Sequence, residues 1–251
     1  MKGLIDLSDR VVLVSGAATG IGAATVALAL KAGASVVATD ISEAGEALRA
    51  TLAEGGERVA FERLDVTQAD DWSRVVRSTR ERFGVVNGLV NNAGVLGSGN
   101  PVHLEDEAVM RRVFDVNTMG MMLGMKAVIP GMIEIGLGFI VNVSSVWGVS
   151  GVANNVAYQT AKGAAVMLSR NAGVTYAPMG IQVNCVIPGY VRTPMSDGVT
   201  TSEAKLLLAM TPVGRRAEPA EVAPMIGFLL SDGARFIAAT TIPVDGGMAA
   251  L

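Results

Sequence analysis

The sequence is almost without the side chains that bind metals or cross-link a chain: its 251 residues include one cysteine, Cys185, and one histidine, His103. A single thiol closes no internal disulfide. One thiol and one imidazole also fall short of a zinc ligand set, so no metal is expected. Cys185 lies in the apolar run 181–187, where a thiol behaves as a small buried hydrophobe, and His103 is expected to decorate a surface loop. Nor does one charge dominate. Twenty Lys and Arg face 23 Asp and Glu, interspersed, for a net charge of −3. That leaves no basic field for a nucleic-acid backbone or an anionic membrane.

Long apolar runs are missing as well. The amino-terminal stretch MKGLIDLSDR carries Asp6 and Asp9 where a secretion signal needs unbroken apolar residues. The most apolar long window, 119–133, is interrupted by Lys126 and Pro130 and falls short of the roughly 20 clean residues of a membrane span. The expectation is a soluble, cytoplasmic chain with neither nucleic acid nor membrane as partner.

What the sequence does have is a core. Half of its residues are hydrophobic, and residues 1–251 suit one α/β domain. Short apolar runs rich in β-branched residues stand at Val11 to Val14, Ser35 to Ala38, Val59 to Phe61, Gly88 to Val90, Phe139 to Val143 and Ile181 to Asn184. Strands so uniformly apolar suit a parallel sheet covered on both faces. Between and beyond them lie stretches long enough for crossover helices: Ile21 to Ala32, Ala44 to Ala53, Asp70 to Phe83, Asp106 to Ile133, Val156 to Ala177 and Pro219 to Leu230. The order is a repeated βαβ, hence a Rossmann-type doubly wound parallel sheet with helices on both faces. Pro130-Gly131 should kink or end its helix. Residues 193–218, with Pro194, Gly198, Pro212 and Gly214 around the apolar stretch Ala204 to Met210, read as a flap carrying a small helix over a substrate.

After the first strand comes Ser15-Gly16-Ala17-Ala18-Thr19-Gly20-Ile21-Gly22. Glycines at a strand-to-helix turn let the backbone approach a pyrophosphate, and the helix amino end offers free amides and a positive dipole. A tight turn with close helix packing would use the same glycines. Asp40, at the end of the second strand, shifts the balance, because a carboxylate there accepts hydrogen bonds from the adenosine ribose. Its charge would repel a 2′-phosphate, and Ala18, Thr19 and Ile41 stand where a basic residue would serve NADP. The implied cofactor is NAD.

Ser144-Ser145 closes the fifth strand at the carboxyl edge where ligands sit in such sheets. Tyr158 and Lys162 follow, four residues apart, which returns them to one helix face and aims phenol and ammonium at one cleft. Together these features resemble the short-chain dehydrogenase/reductase family over essentially the whole chain. The matching pieces are Gly16, Gly20 and Gly22, Asp65-Val66, Asn91-Asn92-Ala93-Gly94, Asn117, Ser145, Tyr158, Lys162, Pro188-Gly189-Tyr190-Val191-Arg192-Thr193 and Val244-Asp245-Gly246-Gly247. Ser15, Ala161 and Ala239 depart from the common pattern without removing a catalytic group.

The resemblance implies that Tyr158 is the acid/base, Ser145 hydrogen-bonds the substrate oxygen, Lys162 holds the nicotinamide ribose and Asn117 supports a water-mediated proton path. Asp65 and Val66 would flank the adenine, Asn92, Ala93 and Gly94 would pass along the ribose, and Pro188, Gly189, Val191 and Thr193 would meet the nicotinamide end. A free tyrosine has a pKa of about 10, so Lys162 and the cationic ring are expected to favour its phenolate by about three units. The resemblance also implies a homotetramer, with the long methionine-rich helix and Val156 to Ala177 at one interface.

Near the catalytic group by sequence are Val95, Leu96, Val146, Trp147, Val149, Val152, Tyr190 and Met195, mostly apolar. Of these, Trp147, Val152, Tyr190 and Met195, with Ser145 and Tyr158, are taken as the substrate contacts. They suggest a hydrophobic secondary alcohol or ketone, alicyclic or aryl. A 3-oxoacyl thioester reductase would share the catalytic residues, but such enzymes normally prefer NADPH, against which Asp40 stands. A noncatalytic nucleotide-binding scaffold of the same fold is opposed by the intact set Asn117, Ser145, Tyr158 and Lys162.

Overall fold

The computed structural model describes residues 5–198 and 200–250. Seven parallel strands form one sheet: β1 (Val11–Ser15), β2 (Ser35–Asp40), β3 (Val59–Arg63), β4 (Gly88–Asn91), β5 (Gly138–Val143), β6 (Ile181–Pro188) and β7 (Thr241–Val244). Their spatial order is β3-β2-β1-β4-β5-β6-β7, so the chain winds outward from β1, returns beside it as β4, and winds the other way. This is the expected doubly wound fold, and it opens a crevice beyond the carboxyl ends of β1 and β4. The seventh strand is absent from the apolar runs read in sequence. It is short, carries Pro243, and lies at the sheet edge, where a missing amide donor is tolerated.

Alternation along the strands explains why they are apolar throughout. Val12, Val14, Val36, Ala38, Val90 and Val141 pack with α1 (Gly20–Lys31), α2 (Glu46–Gly55) and α8 (Pro219–Leu229). Leu13, Val37, Leu89, Ile140 and Val183 turn to the other face, against α3 (Ala69–Phe83), α5 (Gly120–Ile135) and α6 (Val156–Tyr176). The five inner strands, β1, β2, β4, β5 and β6, are therefore buried on both sides, while the edge strands β3 and β7 are only partly covered.

The expected helix from Asp106 to Ile133 is three pieces. α4 (Glu107–Phe114) passes through a π-helical turn, Asp115–Met119, into α5. Pro130 does not end α5, which runs to Ile135 and stops at Gly136 in a left-handed conformation, φ 63°. Its packing on β4, β5 and α3 outweighs the lost donor. By length and hydropathy the run Glu107–Ile135 could cross a membrane, which the interrupted window did not suggest. Met121, Met125, Val128, Ile129 and Met132 are nevertheless buried in the protein's own core.

Cys185 is fully buried, and burial pushes its thiol up to about 11. His103 is exposed in a single turn, Val102–Leu104. Within 193–218 a short turn, Pro194–Ser196, precedes α7 (Thr201–Ala209). This helix starts three residues before the expected apolar stretch because Thr200 and Glu203 close a reciprocal capping box.

Candidate active site

The glycine turn after β1 is packed against the loop after β4. Gly16 has φ 64°, and a β-carbon there would meet the Ala93 backbone at 2.6 Å. Asn92 Nδ2 donates to the carbonyls of Gly16 (2.8 Å) and Ser15 (3.2 Å), while Ser15 Oγ accepts from the amides of Asn92 and Ala93. At Gly22 a β-carbon would lie 2.2 Å from the Gly16 carbonyl oxygen. Packing alone thus demands Gly16 and Gly22. What packing does not account for is the helix end itself: Thr19 gives α1 no side-chain cap, and no acidic residue stands in its first turn. The uncapped amides of Gly20, Ile21 and Gly22 lie at the carboxyl edge of β1, a fitting cradle for a pyrophosphate.

Asp40 ends β2 beside this turn. Its Oδ2 accepts from the Ala18 amide at 3.0 Å and its Oδ1 from the Ser42 amide at 2.9 Å, so the carboxylate holds the glycine turn and keeps lone pairs for a ribose. Ile41 next to it is apolar and 55% exposed, while Arg63 is the register partner of Asp40 on β3. Asp65 is spent on its own turn, accepting from the Thr67 amide and hydroxyl. Val66 is buried, its carbonyl accepting from Trp72 Nε1 and its side chain against Gly120.

At the other end of the crevice Ser145 follows β5, and its Oγ accepts from the Trp147 amide at 3.2 Å. Tyr158 on α6 lies beside Ser145, whose hydroxyl favours the phenolate. Lys162, one turn further along α6, lies 5.7 Å from the Tyr158 ring centre and donates to the Val143 carbonyl at 2.9 Å. Ser144 Oγ donates to the Lys162 carbonyl and fixes the helix to the strand end.

The π turn brings in Asn117. An inserted residue breaks the 3.6-residue phase and re-aims the side chain, and Asn117 clamps Val95 from both sides: Oδ1 accepts from its amide at 2.8 Å and Nδ2 donates to its carbonyl at 2.9 Å. Thr118 Oγ1 donates to the Ala161 carbonyl and ties the turn to α6. A β-carbon on Gly94 would sit 3.0 Å from Asn117 Oδ1 and 3.4 Å from Lys162 Nζ, so these three converge. The structure therefore gathers Asn117, Ser145, Tyr158 and Lys162, all at least nine-tenths buried, at one strand edge.

Burial governs their titration. It raises the Tyr158 phenol above its ordinary value, with the Ser145 hydrogen bond opposing, and it lowers Lys162 to about 8. The lowering expected at Tyr158 named Lys162 together with the cationic ring; from the protein's own groups the shift is upward. The Lys162 ammonium faces the Val143 carbonyl, and for both groups the loss of water is the largest cause of the shift.

Pro188 ends β6, one strand from Ser145. From there the chain runs back along the crevice: Gly189 packs on Asp245, Val191 bridges to Ala217, and Thr193 Cγ2 lies 3.1 Å from the β-carbon position of Gly20. Of the apolar residues near the catalytic group by sequence, Val146 is core, Leu96, Val149 and Met195 are exposed, and Val95, Trp147 and Val152 are half-buried. Tyr190 is buried beneath the Arg216 guanidinium, 4.9 Å from its ring centre.

Asn92, expected along the ribose, serves as the strut described above. One position escaped the sequence reading. Gln159 clamps the loop before α6, accepting from the Val152 amide (2.9 Å) and donating to the carbonyls of Val152 (2.8 Å) and Asn154 (2.6 Å). Asn154 and Asn155, both left-handed, were its only signal in the sequence.

A family model described as "Enoyl-(Acyl carrier protein) reductase" matches residues 16–249. The chain is 41% identical over 244 residues to the cis-4-hydroxycyclohexanecarboxylate dehydrogenase of Sinomonas cyclohexanicum, covering 97% of this chain and 98% of that protein. It is 36% identical to the cyclopentanol dehydrogenase of Comamonas sp., again covering 97% and 98%. The crystal structure of levodione reductase superposes with a TM-score of 0.92 at 36% identity, covering 97% of this chain and 99% of that one.

Proposed function

The chain belongs to the short-chain dehydrogenase/reductase family, and from that membership we propose that it interconverts a hydrophobic, alicyclic secondary alcohol and its ketone with NAD. The observation that carries this reading is the convergence of the buried Asn117, Ser145, Tyr158 and Lys162 at the end of a crevice whose far end carries Asp40. The relatives' names supply the substrate class, since cyclopentanol and 4-hydroxycyclohexanecarboxylate are ring alcohols. The exposed apolar side chains of Leu96, Val149 and Met195 suit such rings.

An alcohol losing hydride must also lose its hydroxyl proton, and Tyr158 takes it. Ser145, neutral and able to donate and accept, orients the oxygen as alcohol and as ketone. When bound, the nicotinamide supplies the hydride acceptor and, oxidised, a positive charge that offsets the burial of the phenolate. Lys162, still largely protonated at neutral pH, holds the nicotinamide ribose and passes the proton outward past Asn117. Thr19 to Gly22 hold the pyrophosphate, Asp40 the adenosine ribose, and Pro188 to Thr193 the nicotinamide end.

An absorbance screen of NAD+ and NADP+ against cyclic, aryl, charged and thioester-linked alcohols tests the reading. Turnover of cyclic alcohols with NAD+ is expected. Turnover confined to thioester-linked substrates, or to NADP+, overturns it.

A further inference from the structure

Two segments meet at the base of residues 193–218. The Arg192 amide donates to the Ala217 carbonyl and the Ala217 amide to the Tyr190 carbonyl, both at 2.9 Å, with Val191 and Ala217 in a parallel bridge. Beside this bridge stands Arg216, a permanent cation only 19% exposed. Its guanidinium covers the Tyr190 ring, its Nη2 donates to Ser196 Oγ, and Asp197 Oδ1 lies 3.6 Å away. Its Nε is buried without a partner.

Ser196 passes this contact on. Its Oγ also accepts from the Thr193 amide at 3.1 Å and lies 2.8 Å from the carbonyls of both Val191 and Thr193. A hydroxyl has one proton and two lone pairs, so Arg216 and the Thr193 amide use both acceptor sites while the proton goes to a carbonyl. One atom thus couples Arg216 to Thr193, the residue that reaches across to Gly20. The cation–π contact with Tyr190 does not lead to Thr193, and an ion pair with Asp197, itself 67% exposed, contributes little. The cation and its buried, unpartnered Nε are costs that an apolar side chain would avoid. An apolar side chain lacks both the cation–π contact and the bond to Ser196, and only the second of these leads to Thr193.

We propose that Arg216 is a positioning residue which, through Ser196, sets Thr193 against the nicotinamide half of the cofactor. This rests on the NAD reading above. The test compares the binding of NADH with that of ADP-ribose, which has the adenosine and pyrophosphate but no nicotinamide. Arg216→Met keeps a long stem over Tyr190 and removes every donor; it is expected to weaken NADH about tenfold and leave ADP-ribose within about twofold. Ser196→Ala gives the same pattern, and the double variant binds NADH no worse than about the weaker single one, because both break one path. Arg216→Lys, with one donor restored, recovers part of the NADH affinity. If Arg216→Met fails to fold, Ser196→Ala and Arg216→Lys make the same comparison. Equal losses for both ligands, or no loss for either, overturn the proposal while the NAD reading stands. Wild-type protein that binds neither ligand overturns the NAD reading and this proposal with it.

Discussion

At the scale of single residues, spacing and chemistry made much of the site legible. Tyr158 and Lys162 share a helix face because they are four apart, and Ser145 was placed by its position at a strand end. Their titration was less legible, because burial is a property of the folded neighbourhood and, from the protein's own groups, it raises the Tyr158 phenol. Asp40 braces Ala18 and Ser42 beside the crevice, and its proposed part in cofactor choice is separable from that brace. Asp40→Ser keeps a short acceptor for those amides and removes the charge. The ratio of kcat/KM for NAD over NADP is expected to fall by about tenfold or more. An unchanged ratio would leave Asp40 as a brace of the glycine turn alone.

At the scale of elements, five of the six helices read from periodicity lie within about two residues of their observed ends, the ordinary slack of helix boundaries. The exception is the helix around Asn117, where the π turn has no local signature: the apolar pattern on either side continues, and the extra residue is fixed by tertiary bonds from Asn117 to Val95 and Thr118 to Ala161. Gln159 escaped notice for the same reason, since its partners are main-chain groups several residues away. Thr118→Val keeps the shape and breaks the tie between the π turn and α6, leaving the buried Ala161 carbonyl without this donor. A loss of about 1–2 kcal/mol in unfolding free energy is expected from denaturant titration, together with reduced turnover as Asn117 loosens. Unchanged stability would mean that the turn is held by its helix neighbours without Thr118.

At the scale of the whole molecule, the two windings of the sheet place the glycine turn and the Tyr158 helix at opposite ends of one crevice. That arrangement was readable because alternating βαβ units permit few topologies. Assembly is the larger-scale expectation. Met167 and Val174 on α6, and Ile133 and Ile135 on α5, are exposed apolar side chains on the two helices assigned to a subunit interface. Light scattering is expected to give a mass of four chains, and Val174→Lys with Met167→Lys to lower it. A monomeric wild type would remove the tetramer from the account.

The central claim is that Tyr158 exchanges the substrate proton in an intact cofactor site. Tyr158→Phe removes one hydroxyl and keeps the ring beside Lys162. Turnover of a cyclic alcohol with NAD+ is expected to fall by at least about a thousandfold, with the dissociation constant for NADH, followed by fluorescence, within about threefold of wild type. Turnover that survives the substitution would contradict the claim.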